Sequence, residues 1–117
     1  MARSRDPDAA AMQPPLGAFL LATSLDRPVG CVGLKGGPDH AEIKRLWIAP
    51  AARGQGLARR LMQAAEDQAR ALGIALLRLD THRALTEAIA LYRATGWTEI
   101  DRFNDDPYPD FFFEKAL

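Results

Sequence analysis

Apolar residues gather in three short runs over the first half of the chain, and turn formers separate them. Leu16 to Ser24, Val29 to Leu34 and Ala41 to Ile48 read as strands, divided by Leu25-Asp-Arg-Pro28 and Gly36-Gly-Pro-Asp39. Asp, Pro and Gly favour turns, so the three strands should form an antiparallel meander. At Gly56 the period changes. Leu57, Leu61, Met62, Ala65, Ala69 and Leu72 recur at helical spacing, with Arg60, Gln63, Glu66, Asp67 and Arg70 on the polar face. Gly73 stands where such a helix ends. Ile74 to Leu79 is almost wholly apolar, the pattern of a strand buried on both faces. Thr86 can cap a second helix that runs through Ala88, Ile89, Leu91 and Tyr92 to Gly96. Trp97 to Phe103 and Phe111 to Lys115 are the last two strands, joined by the polar, proline-rich loop Asn104 to Asp110. The order is β-β-β-α-β-α-β-β, an α/β layered single domain. Residues 1–15 show no apolar period and close with Pro14-Pro15, so they read as a mobile tail before a domain of residues 16–117.

Composition narrows the classes. A chain of 117 residues holds one domain with a modest core. Fifteen basic residues balance fifteen acidic ones, so no global field points to nucleic acid or an anionic membrane. One cysteine, Cys31, rules out a disulfide framework and fits a cytoplasmic location. It lies in the apolar run Val29 to Leu34 and reads as a small buried hydrophobe. No apolar stretch approaches a membrane span. His40 and His82 lie in or beside loops and form no cluster with carboxylates or Cys31, so no metal is expected.

The densest chemical signal lies between Glu42 and Ala65. A strand ends at Pro50, the turn Ala51-Ala-Arg-Gly-Gln-Gly56 follows, and a helix opens. A helix N-terminus presents unpaired N–H groups and a partial positive charge. Lys44, Arg45, Arg53, Arg59 and Arg60 add cations, with no acid from Ile43 to Ala65. A nucleoside-triphosphate loop needs Gly-Lys-Ser/Thr, whereas Leu57-Ala58 follows Gly56. A dinucleotide fingerprint needs a third glycine where Arg59 stands, and parallel strands before the turn. The acyl-CoA loop Arg/Gln-x-x-Gly-x-Gly/Ala fits Arg53-Gly-Gln-Gly56-Leu-Ala58 at every defined position. The plainer reading, a helix start with ordinary surface arginines, stays open on the hexapeptide alone.

The flanking segments extend the match. Glu42-Ile-Lys-Arg-Leu-Trp-Ile-Ala-Pro50 resembles the central strand of the GNAT superfamily of N-acyltransferases. Leu76 to Thr81 resembles the next strand of that family, and Glu87 to Trp97 the helix after it, with a Tyr, then Gly and an aromatic. The resemblance covers about Leu16 to Leu117. It implies a GNAT-like mixed, twisted sheet whose two central strands splay around acetyl-CoA. The backbone of Leu46, Trp47 and Ile48 would then pair with the pantetheine arm. Amides of Gly54, Gln55, Gly56, Leu57 and Ala58 would hold the pyrophosphate, with Arg53 and Arg59 nearby. Leu46 or Trp47 would offer the oxyanion its N–H, and Tyr92 would protonate the departing CoA thiolate. Glu42 is the candidate base, directly or through water. It shares a strand face with Lys44, Leu46 and Ile48, and reads equally well as a surface or hydrogen-bonding carboxylate.

The sequence departs from the family in two ways. Many members carry an N-terminal strand and two helices that wall the acceptor site, and residues 1–15 do not read as that module. Leu85 stands where relatives often place a cofactor-binding asparagine, with Thr86 as a substitute. The functional expectation is an N-acetyltransferase acting on a primary amine of a small molecule, amino acid or peptide. A non-catalytic CoA-binding domain that needs a partner subunit is the alternative. An exposed edge strand invites a homodimer. The loop Asn104 to Asp110 reads first as solvated, and second as a place for a cationic amine near Tyr108 and Asp110.

Overall fold

The computed structural model describes residues 10–117. The six strands are β1 (Ala18–Ser24), β2 (Arg27–Lys35), β3 (Ala41–Ile48), β4 (Leu76–Thr81), β5 (Thr98–Ile100) and β6 (Phe111–Ala116). Helix α1 (Leu57–Ala71) joins β3 to β4, and α2 (Thr86–Ala94) joins β4 to β5. The spatial order is β1-β2-β3-β4-β6-β5, with β3 and β4 parallel and every other pair antiparallel. This is the mixed α/β sheet that the residue pattern predicts.

The β1–β2 hairpin closes through Leu25 and Asp26, both at positive φ (50° and 62°), directly between the paired Ser24 and Arg27. A two-residue turn of this hand matches the twist of its strands. Arg27 and Pro28 therefore belong to β2 rather than to the turn. The meander buries one face. Val32 and Leu34 of β2, with Ala41 and Ile43 of β3, pack against Leu61, Met62, Ala65 and Ala69 of α1. From β4 and β6, Leu77, Leu79 and Phe113 continue the same core beneath Ile89 and Tyr92 of α2.

Four further expectations need correction. Thr86 is the first helical residue and not the cap; Leu85 holds the cap position and no side chain caps it. β4 is fully buried on one face only: Leu77, Leu79 and Thr81 alternate with half-buried Leu76, Arg78 and Asp80. The last hairpin is shorter than its apolar run, because β5 stops at Ile100. Arg102 donates to the carbonyls of Asp106 and Pro109, and its guanidinium lies 4.7 Å over the Phe112 ring, so the chain folds back over the sheet. Finally, Glu66 is buried rather than solvated. Lys115 Nζ lies 2.9 Å from its carboxylate and also donates to the Thr95 carbonyl at 2.6 Å, linking α1, β6 and the end of α2.

The other face of β1, β2 and β3 is thinly covered. Ala10–Met12 forms a short 3-10 turn, and buried Met12 sits so close over Gly33 that a Cβ there would come within 2.5 Å of its sulfur. Phe19, Leu21 and Trp47 remain about half exposed on this side. Expectations for residues 1–9 lie outside the described residues.

Candidate functional site

The site begins with a strand pair that gives up early. β3 and β4 pair only at Ala41 with Leu77 and at Glu42 with Arg78, after which they diverge. Arg45 takes φ 57°, the left-handed region, and the β2–β3 register slips there, with three steps on β3 for two on β2. The Cys31 thiol donates to the Arg45 carbonyl at 3.3 Å, which fastens the bulge to β2. Burial pushes that thiol pKa up, so Cys31 is a hydrogen-bond donor and a poor nucleophile.

Between the diverging strands lies a cleft of about 840 Å³. One wall is Leu46, Trp47 and Ile48, which have no strand partner on the β4 side. The other wall is the first half of α2, from Leu85 to Ala88, with Leu91 and Tyr92 beyond. Arg53, Gly54 and Ala58 close the end beside α1. The start of α1 is chemically open. Gly56 at its cap position offers no side chain, and the first turn contains no acid. Gly54 and Gly56 hold φ of 77° and 76°, and a Cβ on either would meet nothing within 4 Å. Backbone conformation, not crowding within the protein, is therefore why glycine stands there. Uncapped amides, a helix dipole and Arg53 fit a pyrophosphate. Arg53 donates to the Ile48 carbonyl at 3.3 Å, which ties the anion end to the strand wall.

A smaller chamber of about 270 Å³ adjoins the cleft, and Leu46, Leu85 and Tyr92 line both. Besides Tyr92, its polar residues are Lys44, Arg45, Asp80, Thr81, His82 and Tyr108. Tyr92 is buried between Trp97 and Phe113, with ring centroids 6.0 and 5.9 Å away. Burial foremost, and then the Asp80 charge, push its phenol pKa up to about 12. Asn104 Nδ2 donates to Asp80 Oδ2 at 2.7 Å and holds that carboxylate. His82 does not offer a free base. Its Nδ1 accepts the Ala84 N–H at 3.0 Å, and its Nε2 lies 3.6 Å from Asp110.

The structure brings together Leu46, Trp47, Ile48, Arg53, Gly54, Ala58 and Tyr92 around the cleft. Gln55 and Leu57 face a separate hollow beside the β1–β2 hairpin, and Gln55 donates to the Ala51 carbonyl at 3.4 Å. Gly56 at the cap of α1 and Arg59 in its first turn do not line the cleft. Glu42 lines neither chamber and pairs with Lys35 at 3.7 Å. The bulge explains its absence from the long cleft. Lys44 lies opposite Gly33, and Ile48 opposite Gly30, so Glu42 and Lys44 face away from Ile48. Leu85, Thr86 and Tyr92 on the α2 wall match the expectation, whereas Glu87, Ala88 and Leu91 of that wall, with Asp80 and Lys44, are not among the expected cofactor or catalytic residues. Their signal was present only as the polar Asp80 at the end of an apolar strand. Among the described residues, no group of His, Cys, Asp and Glu could hold a metal, and no helix is long and apolar enough to cross a membrane.

Comparison with known proteins agrees with this geometry. The model of the acetyltransferase (GNAT) family matches residues 2–97. An IAA acetyltransferase from Azospirillum brasilense is 39% identical over 107 residues, covering 85% of this chain and 67% of that protein. A ribosomal protein bS18-alanine N-acetyltransferase from Haemophilus ducreyi is 36% identical over 80 residues, covering 68% of this chain and 55% of that one. The crystal structure of the PaiA N-acetyltransferase from Thermoplasma acidophilum in complex with coenzyme A superposes with a TM-score of 0.75 at 27% identity. That match covers 85% of this chain and 60% of the PaiA chain. The chain thus spans roughly two thirds or less of the length of these relatives.

Proposed function

The chain belongs to the GNAT acetyltransferase family, and from that premise we propose that it moves an acetyl group from acetyl-CoA to a primary amine by direct attack. The observation that carries this reading is the junction of a long cleft and a small chamber at Tyr92. The long cleft suits the acyl donor. Leu46 to Ile48 offer an unpaired strand edge to the pantetheine arm, and the turn from Gly54 to Ala58, with Arg53 and Arg59, offers the pyrophosphate its amides and charge. The small chamber suits the amine. The Thermoplasma neighbour's bound coenzyme A and the alanine acceptor in the Haemophilus relative's name are in keeping with both assignments.

A thioester is already activated, so the protein must orient the amine, shelter the oxyanion and help sulfur leave. The oxyanion is assigned to a backbone N–H at Leu46 or Trp47. An ammonium entering beside Asp80 gives up one proton through that carboxylate and water. The neutral nitrogen then attacks the carbonyl carbon, the C–S bond breaks, and the second N–H proton balances the sulfur as it becomes a thiol. Asp80 is a better base than Glu42 because it shares the chamber with Tyr92, whereas Glu42 is engaged by Lys35. A phenol at about 12 stays protonated at any physiological pH. Complete transfer to a thiolate whose acid has pKa about 8.5 is uphill by roughly 5 kcal/mol. Tyr92 therefore acts first as a hydrogen-bond donor to the leaving sulfur, and yields its proton only as the same buried cleft raises the thiol pKa.

The test is release of free CoA thiol with a panel of primary amines, comparing wild type with Tyr92→Phe and Asp80→Asn. Amine-dependent release that falls about a hundredfold in either variant supports the reading. Saturable binding of acetyl-CoA with no release for any amine would leave a CoA-binding domain that needs a partner subunit.

A further inference from the structure

The small chamber is polar in an asymmetric way. At one wall stands a single carboxylate, Asp80, fixed by Asn104 next to Tyr92. At the other stand two cations, Lys44 and Arg45, presented by neighbouring residues of β3. Arg45 has its own interactions. Lys44 is half-buried, and no ion pair engages it among the described residues. Lys44 is therefore available to meet an anion that enters the chamber. At about 270 Å³ the chamber is small for a peptide segment and of a size for one compact molecule.

We propose that the acceptor is a small amine that also carries a carboxylate, an amino acid or a close analogue. Its amine sits at Asp80 and Tyr92, and its carboxylate at Lys44. Opposite charges at opposite walls then orient the molecule with its nitrogen toward the thioester. The same field disfavours polyamines, whose second cation would face Lys44 and Arg45. The inference rests on the acetyl-transfer reading above and narrows its substrate class. It also departs from the cationic acceptor that the acidic loop Asn104 to Asp110 suggests. The Asp110 carboxylate is already engaged: the Arg83 N–H donates to it at 2.9 Å and holds its pKa down.

The experiment compares matched acceptors, γ-aminobutyrate with butylamine and with 1,4-diaminobutane, by CoA-thiol release. Equilibrium binding of each to the protein with CoA present is followed by ligand-observed NMR. Wild type should favour γ-aminobutyrate by at least tenfold in kcat/KM. Lys44→Ala should raise its KM by roughly ten- to a hundredfold while kcat changes little. Lys44→Glu should turn the preference toward the diamine. Equal turnover of all three acceptors, or a Lys44→Ala enzyme with unchanged KM, would overturn the substrate class and leave acetyl transfer standing. Lys44-dependent binding of γ-aminobutyrate without turnover would uphold the class and sink the transfer mechanism. Neither binding nor turnover of the carboxylated amine would overturn the proposal.

Discussion

The two edges of β4 are treated in opposite ways. Along one edge β4 pairs with β6 at six consecutive positions, from Leu76 with Ala116 to Thr81 with Phe111. An ion pair crosses that seam, Arg78 with Glu114 at 3.2 Å, and Lys115 ties β6 in turn to buried Glu66 of α1 at 2.9 Å. Along the other edge β4 pairs with β3 at two positions and then lets go. The released strand edge becomes the cleft. One strand thus serves as anchor on its right and as hinge post on its left, and the open seam is tolerable because the closed seam is over-fastened.

The largest predicted effect comes from loosening the closed seam. Lys115→Ala leaves the buried Glu66 carboxylate only the 3.8 Å contact of the exposed Arg70 and should cost roughly 3 kcal/mol in urea denaturation. Glu66→Met combined with Lys115→Met should recover much of that loss. If the single variant loses less than 1 kcal/mol, the seam is not the anchor described here.

At the open seam the expected losses are of rate rather than stability. Tyr92→Phe should lower kcat about a hundredfold with near-wild-type acetyl-CoA binding. The same residue gives a pH signature. Its folded pKa, about 12, lies above the unfolded value near 10, so its contribution is complete below pH 10 and fades as pH rises toward 12. Between those limits wild type should lose about 3 kcal/mol more than Tyr92→Phe in alkaline denaturation series. Parallel curves would show that the phenol is not buried in solution.

Smaller effects belong to the backbone. Gly56→Ala forces an L-residue into φ near 76° and should cost about 1 kcal/mol, with a several-fold weaker Kd for acetyl-CoA by calorimetry. The smallest is Arg45→Gly, which relieves a left-handed arginine and should change stability by less than about 1 kcal/mol. A loss of several kcal/mol instead would mean that the Arg45 side chain, not its backbone, holds the bulge.

Much of this architecture was legible in the sequence because it is written in periods. The α1 face Leu61, Met62, Ala65 and Ala69 and the stop at Gly73 follow from 3.6-residue spacing and a glycine terminus. What failed depends on partners far along the chain. Glu66 sits on a polar flank by any helical wheel, and only the return of β6 with Lys115 buries it. Straight alternation through Arg45 would put Glu42 on the face of Ile48, and the bulge reverses that. The family resemblance supplied the turn and Tyr92, but the chamber walls at Lys44 and Asp80 needed the splay of β3 from β4.

The bulge at Arg45 also governs which lengths of β3 the fold can accept. Ile43 and Ile48 both face the core only because an odd residue stands between them. Deleting one residue between Lys44 and Trp47 would restore simple alternation and leave both isoleucines on the core face, but without the bend that a bulge gives the strand. An insertion beside the retained bulge would turn Ile48 out to the side that now carries Lys44. The loop from Asn104 to Asp110 has no such parity to keep. Across natural relatives, gaps should therefore be frequent in the loop, and single insertions absent from β3, where length itself is under selection.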